Sequence, residues 1–243
     1  MKQIIKNIIK AILYFLHIDI TRNQQYDRQT HLIMKRLIGK NTNCIDIGCH
    51  KGEMLEIILK LSPNGQHYAF EPIPYLNLNL KKKFSSHNIH ISNIALSNVK
   101  GTSTFNHVKN APAFSGLKKR IYTVKHPEIE ELKVDTDLLD NILPQEYHAH
   151  FIKIDVEGAE YPVLQGAKNT LLKYKPTIIF EFGLGGSDFY GTTPEMIFNL
   201  LVNECGLKIY TLKNFLKGNP SLSLEELISI FEANIEYYFI ATS

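Results

Sequence analysis

Four carboxylates stand at or near the ends of apolar, β-branched runs. Asp46 lies in Cys44-Ile45-Asp46-Ile47-Gly48, Glu71 closes Tyr68-Ala69-Phe70-Glu71, Asp155 closes Phe151-Ile152-Lys153-Ile154-Asp155, and Glu181 closes Thr177-Ile178-Ile179-Phe180-Glu181. One acid at a strand end is common. Four in one sheet read as a single polar site at the carboxyl edge, where open α/β sheets bind ligands. Glu157 and Glu160 follow Asp155 closely, and Glu160 reads as an acid capping the first turn of the next helix. The first acid belongs to a glycine turn, Gly48 and Gly52, and Glu71 comes 19 residues after Gly52. A glycine turn followed by an acid about 20 residues later is how such a sheet holds a ribonucleoside: the turn lets the backbone approach, and the acid accepts from ribose hydroxyls.

The turn also says what the nucleoside carries. A dinucleotide site uses G-x-G-x-x-G so that helix N–H groups face a pyrophosphate. Here the spacing is Gly48-x-x-x-Gly52, with Asp46 two residues before the first glycine. A carboxylate repels phosphate and attracts ammonium. The ligand is therefore read as a nucleoside with a cationic tail and no phosphate, which S-adenosylmethionine satisfies. The competing reading is a tight turn at a helix start with no ligand at all.

Periodicity and turn residues predict strands over about 43–48, 66–71, 88–94, 150–155, 177–182, 207–212 and 236–242, with helices over about 52–61, 74–85, 136–142, 194–204 and 223–233. A further helix follows Glu157, and Gly166 could break it in two. Residues 102–134 read as two strands, Thr102–Val108 and Leu132–Asp135, around a long loop with Pro112, Gly116 and Pro127; irregular stretches of that length are often functional. This alternation predicts an α/β, Rossmann-like fold: seven strands, mostly parallel, with strand seven antiparallel between five and six and helices on both faces. Two parts are expected, an N-terminal helical segment over 1–40 packed on the core and a single domain over 41–243. Within the first, residues 1–18 form a basic amphipathic pattern that could pack on the domain, join a second copy, or lie on an anionic membrane surface.

With 44% hydrophobic and 21% charged residues the chain has an ordinary globular composition, and its net charge of +3 is too small to imply a nucleic-acid partner. The lysine clusters Lys81–Lys83 and Lys118–Lys119–Arg120 lack the interleaved aromatics of a single-strand binder. Three cysteines, Cys44, Cys49 and Cys205, form neither a disulfide framework nor a zinc pattern, so a reducing cytoplasm is expected. His148 and His150 precede the fourth strand, at the wrong end of the sheet for a metal site, and read as structural. Arg120, Tyr122 and Lys125 lie in the long loop, either facing an anionic substrate or solvated. The glycine-rich stretch 183–193 has the composition of a lid.

Taken together the motifs resemble the FkbM family of S-adenosylmethionine-dependent methyltransferases. That resemblance rests on Asp46-Ile-Gly48-Cys49-His50-Lys-Gly52 for the family's D-x-G-A-N-x-G, Phe70-Glu71-Pro72 for F-E-P, Asn93-Ile-Ala95-Leu96-Ser97, Thr136-Asp-Leu-Leu-Asp140, and Lys153-Ile-Asp155-Val-Glu157-Gly158-Ala-Glu160. His50 and Cys49 depart from the family's Asn and Ala. The resemblance implies a class I methyltransferase domain, with cofactor against Asp46, Gly48, His50, Gly52, Glu71, Asn93 and Ala95. His50 could hold the cofactor's carboxylate tail or act as a base facing the substrate. The implied reaction is O-methylation of a sugar or other small-molecule hydroxyl, for example in surface polysaccharide assembly. A hydroxyl needs a base to lose its proton; Asp155 is the first candidate and Glu157 the second. No metal is expected, although Asp155, Glu157 and Glu181 together could bind a divalent cation. The rivals are an NAD-dependent oxidoreductase of nucleotide-linked sugars, which lacks its third glycine and a Tyr-x-x-x-Lys pair, and an inactive domain acting as a partner protein.

Overall fold

The computed structural model describes residues 21–122 and 124–243. The amphipathic segment expected over 1–18 lies outside the described residues. The chain then builds α1 (Arg22–Leu37), β1 (Cys44–Ile47), α2 (Glu53–Leu61), β2 (His67–Phe70), α3 (Pro74–Lys83), β3 (Ile89–Ser92), β4 (Ala95–Leu96), β5 (Gly101–Val108), β6 (Ile129–Asp137), α4 (Leu139–Ile142), β7 (Phe151–Ile154), α5 (Glu160–Gly166), α6 (Lys168–Tyr174), β8 (Thr177–Glu181), α7 (Pro194–Phe198), β9 (Lys208–Thr211), α8 (Leu212–Lys217), α9 (Leu224–Glu232) and β10 (Tyr238–Thr242). Among the described residues, no helix is long and apolar enough to cross a membrane.

The main sheet runs β3-β2-β1-β7-β8-β10-β9. All its pairings are parallel except the two made by β10, which lies antiparallel between β8 and β9. Two helices, α8 and α9, separate β9 from β10, and the final strand enters the gap between β8 and β9 antiparallel to both. The central strands β1, β2, β7 and β8 are buried on both faces, and alternate residues face opposite layers. Ile45, Ile47, Phe70, Ile152, Ile154, Ile178 and Phe180 pack under α4–α7 and α9. Cys44, Phe151, Ile179 and Ile240 pack under α1, α2 and α8, and Ala69 lies on α2 and α3. α1 opens with a capping box, Thr21 accepting from Gln24 N–H and the Gln24 side chain accepting in return. Its Tyr26, Ile33 and Met34 are core residues.

Three features differ from expectation. Residues 95–96 join β5 and β6 in a second, three-stranded sheet; Ala95–Leu96 is too short to carry a period-2 signal of its own. β6 continues to Asp137, so the helix expected from 136 starts only at Leu139: Asp137 accepts from Leu138 N–H and Asn141 Nδ2 and closes the strand. α8 was not expected; six residues do not show a helical period, and it is fixed by Thr211, which accepts from Asn214 N–H, and by packing on α1. The break at Gly166 is present. A side chain there would meet the Ser97 carbonyl at 2.1 Å, so only glycine lets α5 approach the chain following β4 so closely.

Candidate active site

Register decides which side chains meet. Ile47 pairs with Phe70 on one side and Ile154 on the other, Ile154 pairs with Phe180, and Glu181 pairs with Tyr238. The residues that follow that row, Gly48, Glu71, Asp155 and Glu181, therefore share the carboxyl edge of the sheet. One step before it, Asp46 pairs with Lys153. Because β10 is antiparallel, its first residue rather than its last reaches this edge, and so Tyr238 joins the site.

The β1–α2 turn and the end of β2 are locked together. Gly48 N–H and Cys49 N–H both donate to the Phe70 carbonyl. Glu71 Oε2 accepts from His50 N–H at 2.8 Å and Oε1 from Ile73 N–H at 2.9 Å. Burial pushes the Glu71 carboxyl up to about 7 against the pull of those two N–H groups. Gly48 has φ +78°, and a Cβ there would lie 1.9 Å from the Asp155 carbonyl oxygen. Two non-glycine residues of the mouth, His50 (φ +46°) and Glu157 (φ +59°), also occupy the left-handed region, where functional sites commonly hold strain. The His50 Nε2 atom is buried without a partner, and burial lowers this imidazole's pKa, keeping it neutral.

A charged layer underlies the turn. Asp46 is 1% exposed, and neither carboxylate oxygen has a hydrogen-bond partner. Burial pushes it up to about 6. Lys153 Nζ stands 4.0 Å from Asp46 Oδ1 and 3.1 Å from Asp155 Oδ2. Burial alone would lower Lys153, but Asp155 and Asp46 outweigh it, so the lysine stays charged. Asp155 Oδ2 also accepts from the Tyr238 hydroxyl at 2.7 Å. Burial would raise Asp155; Lys153, Tyr238 and a hydrogen bond with Glu181 together hold it below its usual range. Burial and the Asp155 charge push Glu181 well up, so it supplies the proton that they share.

Beyond this layer, Glu157 is pushed up to about 8 by burial and then by Asp155, while Arg120 pulls it down. Arg120 pairs with Glu157, lies 5.3 Å over the Phe114 ring and reaches the Gly185 carbonyl. Glu160 Oε1 accepts from Val156 N–H and Gly158 N–H, and its Oε2 is buried without a partner. Carboxylate oxygens of Asp155, Glu157 and Glu181 lie within 4.8 Å of one another, close enough to share a hard cation. A cleft with about 700 Å³ of empty space, part of it open to solvent, runs past Glu71, His50, Asp155 and Glu157 to Ile73, Phe105 and Leu117. Its size and mixed polar and apolar wall suit a small-molecule ligand. The unpartnered Asp46 oxygens, the unpartnered His50 nitrogen and the glycine cradle all fit a nucleoside bearing a cationic amino-acid tail.

A profile described as "Methyltransferase FkbM domain" matches residues 46–209, more than half of the chain. The chain belongs to the FkbM methyltransferase family. Among solved structures, the FkbM methyltransferase of Methylobacillus flagellatus KT aligns at TM-score 0.51 and 14% identity, covering 84% of this chain; the chain spans 44% of that protein's length. An rRNA methylase from Streptococcus thermophilus aligns at TM-score 0.47 and 11% identity, covering 92% of this chain and 96% of that one. No curated protein sequence matches the chain.

For this FkbM-family chain, most residues singled out by spacing converge. Asp46, Gly48, His50, Glu71, Asp155 and Glu157 line the two cavities at the mouth. Gly52 (φ +76°) lies behind them against Leu80 and Phe84 and sets the start of α2. Asn93 and Ala95 play bracing roles: Asn93 Nδ2 donates to the Glu71 and Pro72 carbonyls, and Ala95 pairs with Thr136, leaving Leu96 to line the cleft. Arg120 is neither solvated nor free for an anion, because Glu157 occupies it. Tyr122 is half-buried and Lys125 exposed. His148 and His150 stack at 4.3 Å at the opposite end of β7, and His150 Nδ1 accepts from Asn43 N–H. The 183–193 loop is tied to the long loop by Lys118, whose N–H donates to the Tyr190 hydroxyl and whose Nζ donates to the Phe189 carbonyl. Sequence reasoning missed Tyr238, Lys153 as a buried counter-charge, and α1 as part of the wall. The antiparallel seventh strand was the available signal for Tyr238.

Proposed function

We propose that this FkbM-family methyltransferase moves a methyl group from S-adenosylmethionine to a hydroxyl of a sugar or another small molecule. The observation that carries the reading is the pair of unpartnered, buried Asp46 oxygens beneath a glycine cradle, with Glu71 at the neighbouring strand end. Glu71 would accept from the ribose hydroxyls, since each of its oxygens keeps a free lone pair after accepting one N–H. Asp46 and neutral His50 would face the amino-acid tail. When bound, the cofactor supplies an electrophilic methyl carbon on a sulfonium.

The protein's contribution is to align the cofactor and the acceptor. Asp155, held ionised by Lys153 and Tyr238, would supply negative charge at the carboxyl edge for a cationic cofactor. Those same partners make it a weak base. Glu157, raised to about 8, is better matched to taking the acceptor's proton near neutral pH. It would be the catalytic base, with Asp155 the charge partner. As the methyl group left sulfur for the acceptor oxygen, Glu157 would take the hydroxyl proton. A sugar or glycoconjugate acceptor, as in surface polysaccharide assembly, is the substrate class proposed; family membership replaces the nicotinamide alternative. A second reading has a divalent cation on Asp155, Glu157 and Glu181 activating the hydroxyl, favoured by their convergence.

The test is transfer of labelled methyl to a panel of sugar nucleotides and simple glycosides, comparing wild type with Asp155→Asn and Glu157→Gln, each with and without EDTA. Label on a hydroxyl, lost in both variants and insensitive to EDTA, supports the first reading. Activity removed by EDTA and restored by Mg²⁺ supports the second. No transfer to any hydroxyl acceptor overturns both.

A further inference from the structure

Apolar side chains scattered singly over a surface need no explanation. Three on this molecule are grouped. Ile121, Leu184 and Ile235 are 75%, 43% and 55% exposed, and all three stand at the carboxyl edge of the sheet. Leu184 follows β8 by three residues and Ile235 precedes β10 by three. A Cβ on Gly183 would lie 2.7 Å from the Tyr237 Cβ, so these two loops lie against each other. Ile121 follows Arg120, which reaches across to Glu157 and to the Gly185 carbonyl. The three residues therefore rim the mouth that holds Asp155 and Glu157.

Positive charge surrounds this rim. The sequence from Leu117 to Pro127 holds Lys118, Lys119, Arg120 and Lys125 and no acid. All three lysines are exposed, and Lys119 also pairs with Glu131. Arg22 opens α1 at the same edge, its guanidinium 5.1 Å from the Tyr237 ring centroid and donating to the Asn234 and Ile235 carbonyls. The acids beside the rim are engaged internally: Asp188 accepts from Gly185 N–H, and Glu236 accepts from the Tyr26 hydroxyl. Because α1 starts here, the sequence that precedes it joins the described fold beside Ile235. That sequence carries Lys2, Lys6 and Lys10, no acid before Asp19, and seven isoleucines and leucines from Ile4 to Leu16 that recur at helical spacing. Apolar side chains flanked by lysines match an anionic bilayer, where lysines meet headgroups and apolar side chains enter the acyl boundary. A nucleic acid would use the lysines and leave the isoleucines in water.

We propose that the mouth-side face docks on an anionic lipid bilayer through Ile121, Leu184 and Ile235, the lysines beside Ile121, and the 1–18 sequence. The docked face carries Asp155 and Glu157, so the mouth opens toward the headgroups. A hydroxyl on a lipid-carried acceptor would then be presented to the site. That consequence rests on the methyl-transfer reading above; the docking itself does not.

The chain has no tryptophan, so a single introduced tryptophan reports its own position. The experiment compares full-length Ile235→Trp, at the rim, with Leu172→Trp on α6. Leu172 is 43% exposed at the opposite edge, where its neighbour Tyr174 stacks on His148. Each is mixed with vesicles of phosphatidylcholine, alone or with phosphatidylglycerol, with and without a brominated lipid that quenches tryptophan. Both variants should bind only the anionic vesicles, and high salt should release them. Only the rim tryptophan should be quenched. Replacing Lys2 and Lys6 by Gln should weaken binding about 25-fold, from about fivefold per lysine at an anionic surface. Ile121→Ser should weaken it in the same sense, with circular dichroism confirming that each variant folds. No binding to anionic vesicles overturns the docking, as does quenching at Leu172→Trp equal to that at Ile235→Trp, or binding unchanged in the lysine and Ile121 variants. A dimer by light scattering, with no vesicle binding and the rim tryptophan already shielded without lipid, would give this face to a second copy and overturns it too. Vesicle binding without methyl transfer to any lipid-carried hydroxyl would keep the docking and remove only its consequence for the acceptor.

Discussion

Replacing Gly48 with alanine separates a site built on backbone contact from one built on side chains. The new Cβ would lie 1.9 Å from the Asp155 carbonyl oxygen and 2.9 Å from its carbon, so no side-chain rotation relieves the clash. At φ +78° an L-residue also costs about 1–2 kcal/mol. Relief requires the β1–α2 turn to withdraw from β7, which weakens the Gly48 N–H to Phe70 carbonyl and Asp155 N–H to Ile47 carbonyl hydrogen bonds, each contributing about 0.5–1.5 kcal/mol. The sum is about 2–5 kcal/mol of lost stability. Urea unfolding measures it, with Gly39→Ala as the control, because a Cβ at Gly39 meets only Thr42 Oγ1 at an ordinary 3.7 Å. Gly48→Ala should lower the unfolding midpoint clearly and lose S-adenosylhomocysteine binding, while Gly39→Ala should stay within about 0.5 kcal/mol of wild type. A Gly48→Ala protein as stable as wild type, with unchanged affinity, would refute the close-approach argument.

Tyr238→Phe removes one of three donors to Asp155. A hydrogen bond to a charged group is worth about 1.5–3 kcal/mol, so the Asp155 carboxyl should titrate about 1–2 pH units higher by NMR; an unmoved titration argues against the contact. For wild type, kcat/KM should rise with pH and level off above about 8 as Glu157 loses its proton, and Glu157→Gln should flatten the profile; a wild-type profile flat from pH 6 to 9 removes Glu157 as base. Buried Asp46, Glu71 and Glu160 have folded pKa values raised to about 6, 7 and 7. The folded state therefore holds protons that the unfolded chain has released, and stability declines by about 1.4 kcal/mol per group per pH unit between the unfolded and folded pKa values. Ligand-free protein should melt at a lower temperature at pH 8 than at pH 5; a Tm that rises across that window contradicts the burial of these acids.

The sheet was legible in the sequence because its strands are short apolar runs ending in acids, glycines or prolines. Glu71, Gly48 and Asp155 could be placed at one edge from that pattern alone. The roles of the neighbouring residues could not, because they depend on pairing between distant segments. Lys153 looks like an ordinary motif lysine until register sets it beside Asp46. Tyr238 enters only through the antiparallel direction of β10. The order of preference between Asp155 and Glu157 also turns on tertiary partners, since three donors hold Asp155 low while burial raises Glu157. Arg120 lies in an irregular loop with no periodic signal, and only the folded turn at Glu157 and Gly158 shows what it meets. α1 carried a helical pattern, but nothing local tied Asp27 to a turn beginning some 20 residues later.

The most direct test of the central claim is a crystal structure of the full chain with S-adenosylhomocysteine bound. The account predicts ribose hydroxyls within hydrogen-bond distance of the Glu71 carboxylate and the amino-acid end beside Asp46, below the Gly48 turn. A nucleoside bound away from the carboxyl edge of the sheet, or lying there with its ribose out of reach of Glu71, would contradict it.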